Sequence, residues 1–403
     1  MSEPLVIIGN GMAAARFADE LSKRALGRYA IAVVGDEPRL AYNRVLLSSV
    51  LAGEAVSSDL ELKPRNWWQD RGITLRYGCR AIAIDPKTRR IAMADGAEMT
   101  FSKLVLATGS QPIKPPISGM SLPGVITFRD ISDIWTIWHR AGAGDRVVVI
   151  GGGLLGLEAA YGLAKAGARV TVLHLMDRLM ERQLDPRAAE MLKRAVEAKG
   201  IEVILNAETA EIAGHGSVEA VMLKDGRRIE ATAVVVAIGI KPSADLARSA
   251  GLAVNRGIVV DDTMETSAPD IHAIGECAEH RGLVYGLVEP AYEQARVLAN
   301  RLTDGSARYP GSVLATNLKV SGVNVFSAGD FMGAAGTEEI VLTDRGLGTY
   351  KKFVIADGRL AGCVLFGDTA DGLWYLELIR SGVSIEPFRN DLAFGRALVE
   401  RAA

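Results

Sequence analysis

The chain has 403 residues, 49% of them apolar and 23% charged, enough to bury large cores and to form two or three domains rather than one. With 46 basic against 48 acidic residues the net charge is −2, so no broad positive field draws nucleic acid or anionic lipid. The cysteines, Cys79, Cys277 and Cys363, are too scattered for a Cys-x-x-Cys pair or an iron–sulfur ligand set, so any redox chemistry must come from a bound cofactor.

Strands alternate with helical patterns along the chain, which predicts α/β architecture. LVIIG near the N-terminus predicts a strand, then a helix through Leu21 and a second strand, IAVVGDE. Residues 40–70 are less regular, and ITLRYG, AIAID, RIAMAD and KLVLATG supply further strands. The proline-rich stretch PIKPPISGMSLPG cannot be an element interior and reads as a linker. A helix at ISDIWTIWHRAG follows, then the strand and turn DRVVVIGGGLLG, a helix through Lys165, and the strand ARVTVLHL. Beyond them lie the helix DPRAAEMLKRAVEAKG, the strand IEVILN, the hairpin AVMLKDGRRIEA and the strand TAVVVAIG. IKPS marks a second boundary. From Pro310 the strands VNVFSAG, EEIVLTD, YKKFVIAD and RLAGCVLFG and a helix at LWYLELIRSG predict a small α+β domain. The pair of glycine-rich turns is the one repeat the sequence displays.

Each turn has a physical rationale. In Gly9-Asn10-Gly11-Met12-Ala13-Ala14 the first glycine makes the tight turn, the second lets a pyrophosphate touch the backbone, and Ala14 fills the position that must be small. The helix that begins there points its unpaired N–H groups at the phosphates. An isolated match is also the pattern of a plain tight turn, but here a strand ending in Asp36-Glu37 follows 22 residues past Ala14, where a carboxylate accepts hydrogen bonds from a ribose diol. In the second turn Gly151, Gly153 and Gly156 fill all three positions, Leu154 and Leu155 open the helix, and Glu158 follows. Its distal strand ends on His174, 18 residues beyond Gly156, where an NAD site would carry a carboxylate. His174 is either a satisfied surface residue or part of a site without that carboxylate, in which Arg178 meets a 2′-phosphate; the choice between NADH and NADPH stays open. Two dinucleotide sites without a metal signature predict FAD in the first and NAD(P)H in the second. The five histidines show no ligand spacing, and no metal is expected. PLVIIG lacks a basic region before it and is too short to span a bilayer, which predicts a cytoplasmic chain with no membrane partner.

The two turns, together with LVLATGS at 104–110 and TSAPDIHAIGECAE at 266–279, resemble the two-dinucleotide FAD/NAD(P)H oxidoreductases. More narrowly, AYNRVLLSSVLAGE, GVITFRDISD, LHLMDRLMERQLD, GECAEHRGLVYGLVEPAYEQA and TNLKVSGVNVFSAGD resemble the FAD domain at the start of assimilatory NAD(P)H nitrite reductases. The resemblance implies an FAD domain interrupted by an NAD domain: residues 1–112 with 242–315 for FAD, 113–241 for NAD(P)H, and a C-terminal α+β domain over 316–403. It implies that Asp36 and Glu37 meet the adenosine ribose, Arg44 the FAD phosphates, Ala81 the adenine, and Ala107, Thr108 and Gly109 the pyrophosphate. Gly275 and Glu276 stand near the ribityl chain, Glu289, Pro290 and Ala291 start a helix facing the flavin, and Lys319 approaches its edge. On the nicotinamide side Ile238 and Gly239 join the second turn, and Glu158 is the candidate for orienting the nicotinamide.

The chain departs from related ferredoxin reductases after its Leu-Ser pair. Ser49 stands where they carry a lysine that pairs with the glutamate of the second turn, so Glu158 is expected to lack that partner. Neither a four-cysteine segment nor a sirohaem domain lies in these 403 residues, so nitrite reduction by this chain alone is not expected. Cys277, Trp67-Trp68 and Trp374-Tyr375 read as packed residues before they read as redox or partner sites. The expected function is an NAD(P)H oxidoreductase feeding a separate metal-containing protein, a nitrate or nitrite reductase catalytic subunit. The alternatives are a rubredoxin or ferredoxin reductase and a flavin-based redox-sensing binding protein.

Overall fold

The structure, a computed structural model, describes residues 2–320 and 322–402, with only the backbone given for 318–320, 401 and 402. The chain forms two compact units: residues 1–47, 55–113 and 240–312 in one, and 48–54, 114–239 and 313–403 in the other.

The first unit is built on a five-stranded parallel sheet. Strand β1 (Glu3–Ile8) lies at its centre, between β2 (Tyr29–Gly35) on one side and Lys103–Leu106 on the other, with Thr74–Tyr77 and Ile271–Ala273 at the edges. Leu5, Val6, Ile7 and Ile8 are all buried, the near-continuous apolar run of a strand covered on both faces. Helix α1 (Met12–Ala25) follows β1 and packs through Ala14, Ala15, Phe17, Ala18 and Leu21. It continues a turn past the expected end at Leu21. Lys23 and Arg24 there pair with Asp19 and Glu20 one turn back and complement the C-terminal end of the helix dipole. Residues 40–70 hold short helices, Leu47–Leu51 and Arg65–Gln69 among them, and Trp68 is fully buried.

The second unit repeats this plan. Strand β3 (Arg146–Ile150) is central in a five-stranded parallel sheet, flanked by β4 (Arg169–Leu173) and by Ala233–Val236, with Glu202–Ile204 and Val125–Thr127 at the edges. Helix α2 (Leu154–Lys165) follows β3. Each parallel sheet has a three-stranded antiparallel companion, Ala81–Asp85 with Arg90–Met93 and Glu98–Thr100 in one unit, Thr209–Ala213 with Ala220–Leu223 and Arg228–Glu230 in the other. The duplication therefore extends well beyond the two glycine turns. In both sheets the chain leaves the central strand at the point where neighbouring connections run to opposite sides, the place where open α/β sheets hold ligands.

The second unit also carries the expected C-terminal α+β fold, a five-stranded antiparallel sheet covered by helix Gly372–Ser381. Phe326, Phe353 and Tyr375 fill its core, and the Tyr375 hydroxyl donates to the Leu392 carbonyl at 2.7 Å. Asp185 caps helix Pro186–Glu197 through the Ala188 N–H at 3.1 Å and accepts the Tyr350 hydroxyl at 2.6 Å. Among the described residues no helix is long and apolar enough to cross a membrane.

Candidate functional site

Both glycine turns are held open by the same geometry. Gly9 and Gly151 have φ of +113° and +124°, and a Cβ on either would lie 2.0 or 2.2 Å from the carbonyl oxygen of Ala107 or Ala237. Only glycine permits that closeness. The turns are thereby pressed onto the segments after the neighbouring strands, which bring Ala107 and Thr108 to the first turn and Ala237 and Ile238 to the second, with Gly109 and Gly239 next in sequence. Gly11 and Gly153 differ in kind: a Cβ on either meets nothing within 4 Å, so each faces open space. These glycines cap α1 and α2 in extended conformations without a side-chain cap, which leaves the first-turn N–H groups directed outward. Room beside a helix N-terminus with its donors unclaimed by a cap is what a pyrophosphate requires, and it occurs in both units. Met12, Ala13, Leu154 and Leu155 form the first turns of these helices. The third small position is tightest in the second turn, where a Cβ on Gly156 would lie 1.9 Å from the Gly151 oxygen.

Around the first turn, Gly9 N–H donates to Val34 at 2.7 Å and the Asn10 side-chain amide to Arg39 at 3.0 Å. Asp36 is exposed at the tip of β2. Glu37 accepts the Tyr42 hydroxyl at 2.8 Å and is ion-paired with Arg44, whose guanidinium lies over the Tyr42 ring. Thr108 donates to Ser243 at 2.6 Å, and Glu276 accepts the Ser110 hydroxyl at 2.8 Å. Gly275 packs so closely on Ala13 that a Cβ would approach it to 2.9 Å, and its N–H donates to the buried Gln294 amide at 2.7 Å. Pro290 and Ala291 are buried near the start of helix Val288–Arg301, while Glu289 is exposed and pairs with Arg296 at 2.8 Å. Ala81 begins the antiparallel companion sheet. The side chain of Lys319 lies outside the described residues.

The family profile for pyridine nucleotide-disulphide oxidoreductases matches residues 3–296, and that for the rubredoxin NAD+ reductase C-terminal domain matches 315–383. The chain belongs to the pyridine nucleotide-disulphide oxidoreductases. It is 44% identical over 382 residues to a nitrite reductase [NAD(P)H] of Bacillus subtilis, and 43% identical over 368 residues to an assimilatory nitrate reductase electron transfer subunit of the same organism. These matches cover 94% and 91% of this chain but 48% of each relative, so the chain spans about half their length. The solved covalent complex of putidaredoxin reductase with putidaredoxin matches with a TM-score of 0.89 at 26% identity, covering 99% of this chain and 98% of that one. As a member of this family the chain is an FAD-dependent NAD(P)H oxidoreductase.

Around the second turn the structure gives the surroundings of Glu158 and His174. Glu158, on the second turn of α2, is 8% exposed, and burial pushes its carboxyl up to about 7, against a hydrogen bond from Ser48 that draws it down. Ser48, the residue before Ser49, is thus the partner of Glu158. A serine in Leu-Ser-Ser carries no signal of its own, and only the return of residues 48–54 to this unit reveals it. His174, at the tip of β4, is 7% exposed rather than a surface residue. Its Nδ1 accepts the Gly152 N–H at 3.0 Å, and its Nε2 faces the Glu181 carboxylate at 3.1 Å. Arg178 is half-buried and paired with Asp177 at 3.0 Å. Cys277 is fully buried, and burial raises its thiol pKa. Among the described residues no group of three or more His, Cys, Asp or Glu side chains is placed to hold a metal.

Proposed function

We propose that this chain is the electron-input component of assimilatory nitrate or nitrite reduction, taking reducing equivalents from NAD(P)H and handing them to a separate metal-containing redox protein. The observation that carries the reading is the duplicated turn, with open space at Gly11 and Gly153 beside two uncapped helix N-termini. The names of the two Bacillus subtilis relatives direct it toward nitrate and nitrite. In this reading the N-terminus of α1, with Gly9, Gly11, Thr108 and Gly109, receives the FAD pyrophosphate, and Asp36 and Glu37 the ribose. Arg44, held against Glu37 and Tyr42, offers its charge to the phosphates. Glu276 is fixed by Ser110 near the ribityl chain, and Gly275 and the start of helix Val288–Arg301 form the wall behind it. The N-terminus of α2 holds NAD(P)H, and Glu158, its carboxyl raised to about 7 by burial, donates a hydrogen bond toward the nicotinamide amide when protonated. When bound, the flavin accepts hydride and releases electrons singly, which suits a step between NAD(P)H and a one-electron metal centre. The chain's own residues bind and orient, and the reading asks no nucleophile of them. We place the protein in the cytoplasm, in keeping with an assimilatory role.

A rubredoxin or ferredoxin reductase is the second reading, favoured by the C-terminal match and by the putidaredoxin reductase fold. Steady-state electron transfer from NAD(P)H to purified nitrate or nitrite reductase catalytic subunits, rubredoxin and ferredoxin separates the two. Faster turnover with the nitrate or nitrite subunits supports the first reading, and faster turnover with rubredoxin or ferredoxin refutes it.

A further inference from the structure

The tip of β4 carries an imidazole where the ribose-binding carboxylate of an NAD site usually stands. The hydrogen bonds of that imidazole fix the tautomer of its neutral ring. Because Nδ1 accepts the Gly152 N–H, the neutral ring bears its proton on Nε2 and donates it to Glu181. His174 is therefore a buried bridge that ties the glycine turn to a carboxylate seven positions further along the chain. One oxygen of Glu181 takes the imidazole proton. The other has Arg182 at 3.9 Å, a side chain 86% exposed, and Glu181 itself remains 23% exposed, so the carboxylate keeps acceptor capacity open to a ligand.

We propose that Glu181, positioned by His174, is the group that accepts the adenosine ribose hydroxyls of the nicotinamide dinucleotide, and that it makes the protein prefer NADH to NADPH. The inference rests on the second turn holding a nicotinamide dinucleotide. A 2′-phosphate, close to a dianion at neutral pH, would replace a hydroxyl donor beside a fixed carboxylate and meet repulsion instead of a hydrogen bond. The remaining charges do not offset this. Arg178 is paired with Asp177, and Arg182, 86% exposed and 3.9 Å from Glu181, is screened by solvent, so with Glu181 counted these four side chains leave no surplus positive charge for a phosphate. Position 181 lies beyond the end of the strand, which is why a pattern that looks for acid on the strand itself finds only histidine.

The test is calorimetric binding of ADP-ribose and of 2′-phospho-ADP-ribose to the FAD-loaded protein, in wild type, Glu181→Gln and Glu181→Lys. A ratio of two affinities is insensitive to the fraction of a variant that folds. The wild type should bind ADP-ribose at least about tenfold more tightly, the worth of one charge-assisted hydrogen bond. Glu181→Gln should bring the two ligands within about threefold, since a neutral amide still accepts a hydroxyl but no longer repels phosphate. Glu181→Lys should reverse the order. A wild type that binds the phosphorylated ligand more tightly, which would hand that phosphate to Arg178, overturns the proposal, and so does a ratio unchanged in both variants. Binding of neither ligand by flavin-loaded wild type would overturn the nicotinamide reading itself, a distinct result.

Discussion

Gly153 and Gly156 belong to one turn, yet substitutions at the two should fail in opposite ways. Gly153 has extended backbone, φ −82° and ψ −176°, which valine adopts readily, and its Cβ would meet nothing within 4 Å. Gly153→Val should therefore fold, losing about 1 kcal/mol for a poorer helix cap. The new side chain fills the space left for the pyrophosphate. Losing one or two charge-assisted N–H bonds to phosphate costs about 3 kcal/mol, on the order of 100-fold in affinity. Gly156→Ala acts on the fold, because its Cβ would sit 1.9 Å from the Gly151 oxygen and the helix must move away. Overpacking of that kind costs about 1–3 kcal/mol. The assays are thermal melting, flavin content by absorbance, and ADP-ribose titration. Gly153→Val should melt near wild type, keep its flavin and lose ADP-ribose binding, while Gly156→Ala should melt lower. A Gly153→Val protein that binds ADP-ribose normally, or that loses flavin instead, would refute the assignment of the two turns.

Other consequences follow from single contacts. Glu158 has its folded pKa raised from 4.5 to about 7, so the stability tied to its neutral form is complete below about 4.5 and is lost as pH rises through about 7. Glu158→Gln should remove this slope and exceed wild type in stability at pH 8 by about 2–3 kcal/mol or less, read from urea melts at pH 5 and pH 8; Asp133, raised to about 6 by burial, keeps a residual slope in both proteins. Tyr350→Phe removes a buried hydrogen bond to Asp185 and should cost about 1.5–3 kcal/mol, and no change in the denaturation midpoint would contradict the contact. Arg44→Ala should weaken FAD retention by about tenfold in equilibrium dialysis, the scale of one lost ionic contact to phosphate, with the second site unaffected. Cys277 and Cys363 are buried and Cys79 is half-buried, so Ellman's reagent should label at most Cys79 in the folded protein.

The fold was legible where apolar runs and glycines act locally. β1 and β3 are read directly because their buried stretches, 5–8 and 147–150, are covered on both faces and so apolar throughout, and Gly9 and Gly151 because their backbone conformation admits little else. The duplication of the whole sheet plan was hidden, since its edge strands, such as Val125–Thr127, are too short to show a period. Ser48, Ser110, Gln294 and Glu181 escaped for a different reason. Ser48, Ser110 and Gln294 act through hydrogen bonds set by tertiary return of the chain, and Glu181 through a loop contact to His174 seven residues back; neither kind of polar contact has a pattern in sequence. His174 was noticed for the carboxylate it displaces, but its burial, and with it the link to Glu181, emerges only once Gly152 packs against its ring.

Anaerobic mixing of the FAD-loaded chain with NADH tests the central claim most directly. The flavin absorbance should bleach, and the reduced protein should pass electrons quickly to ferricyanide or a dye while leaving nitrate and nitrite unchanged until a metal-containing partner is added. Flavin that stays oxidised in the presence of both NADH and NADPH, or turnover of either anion by the chain alone, would contradict it.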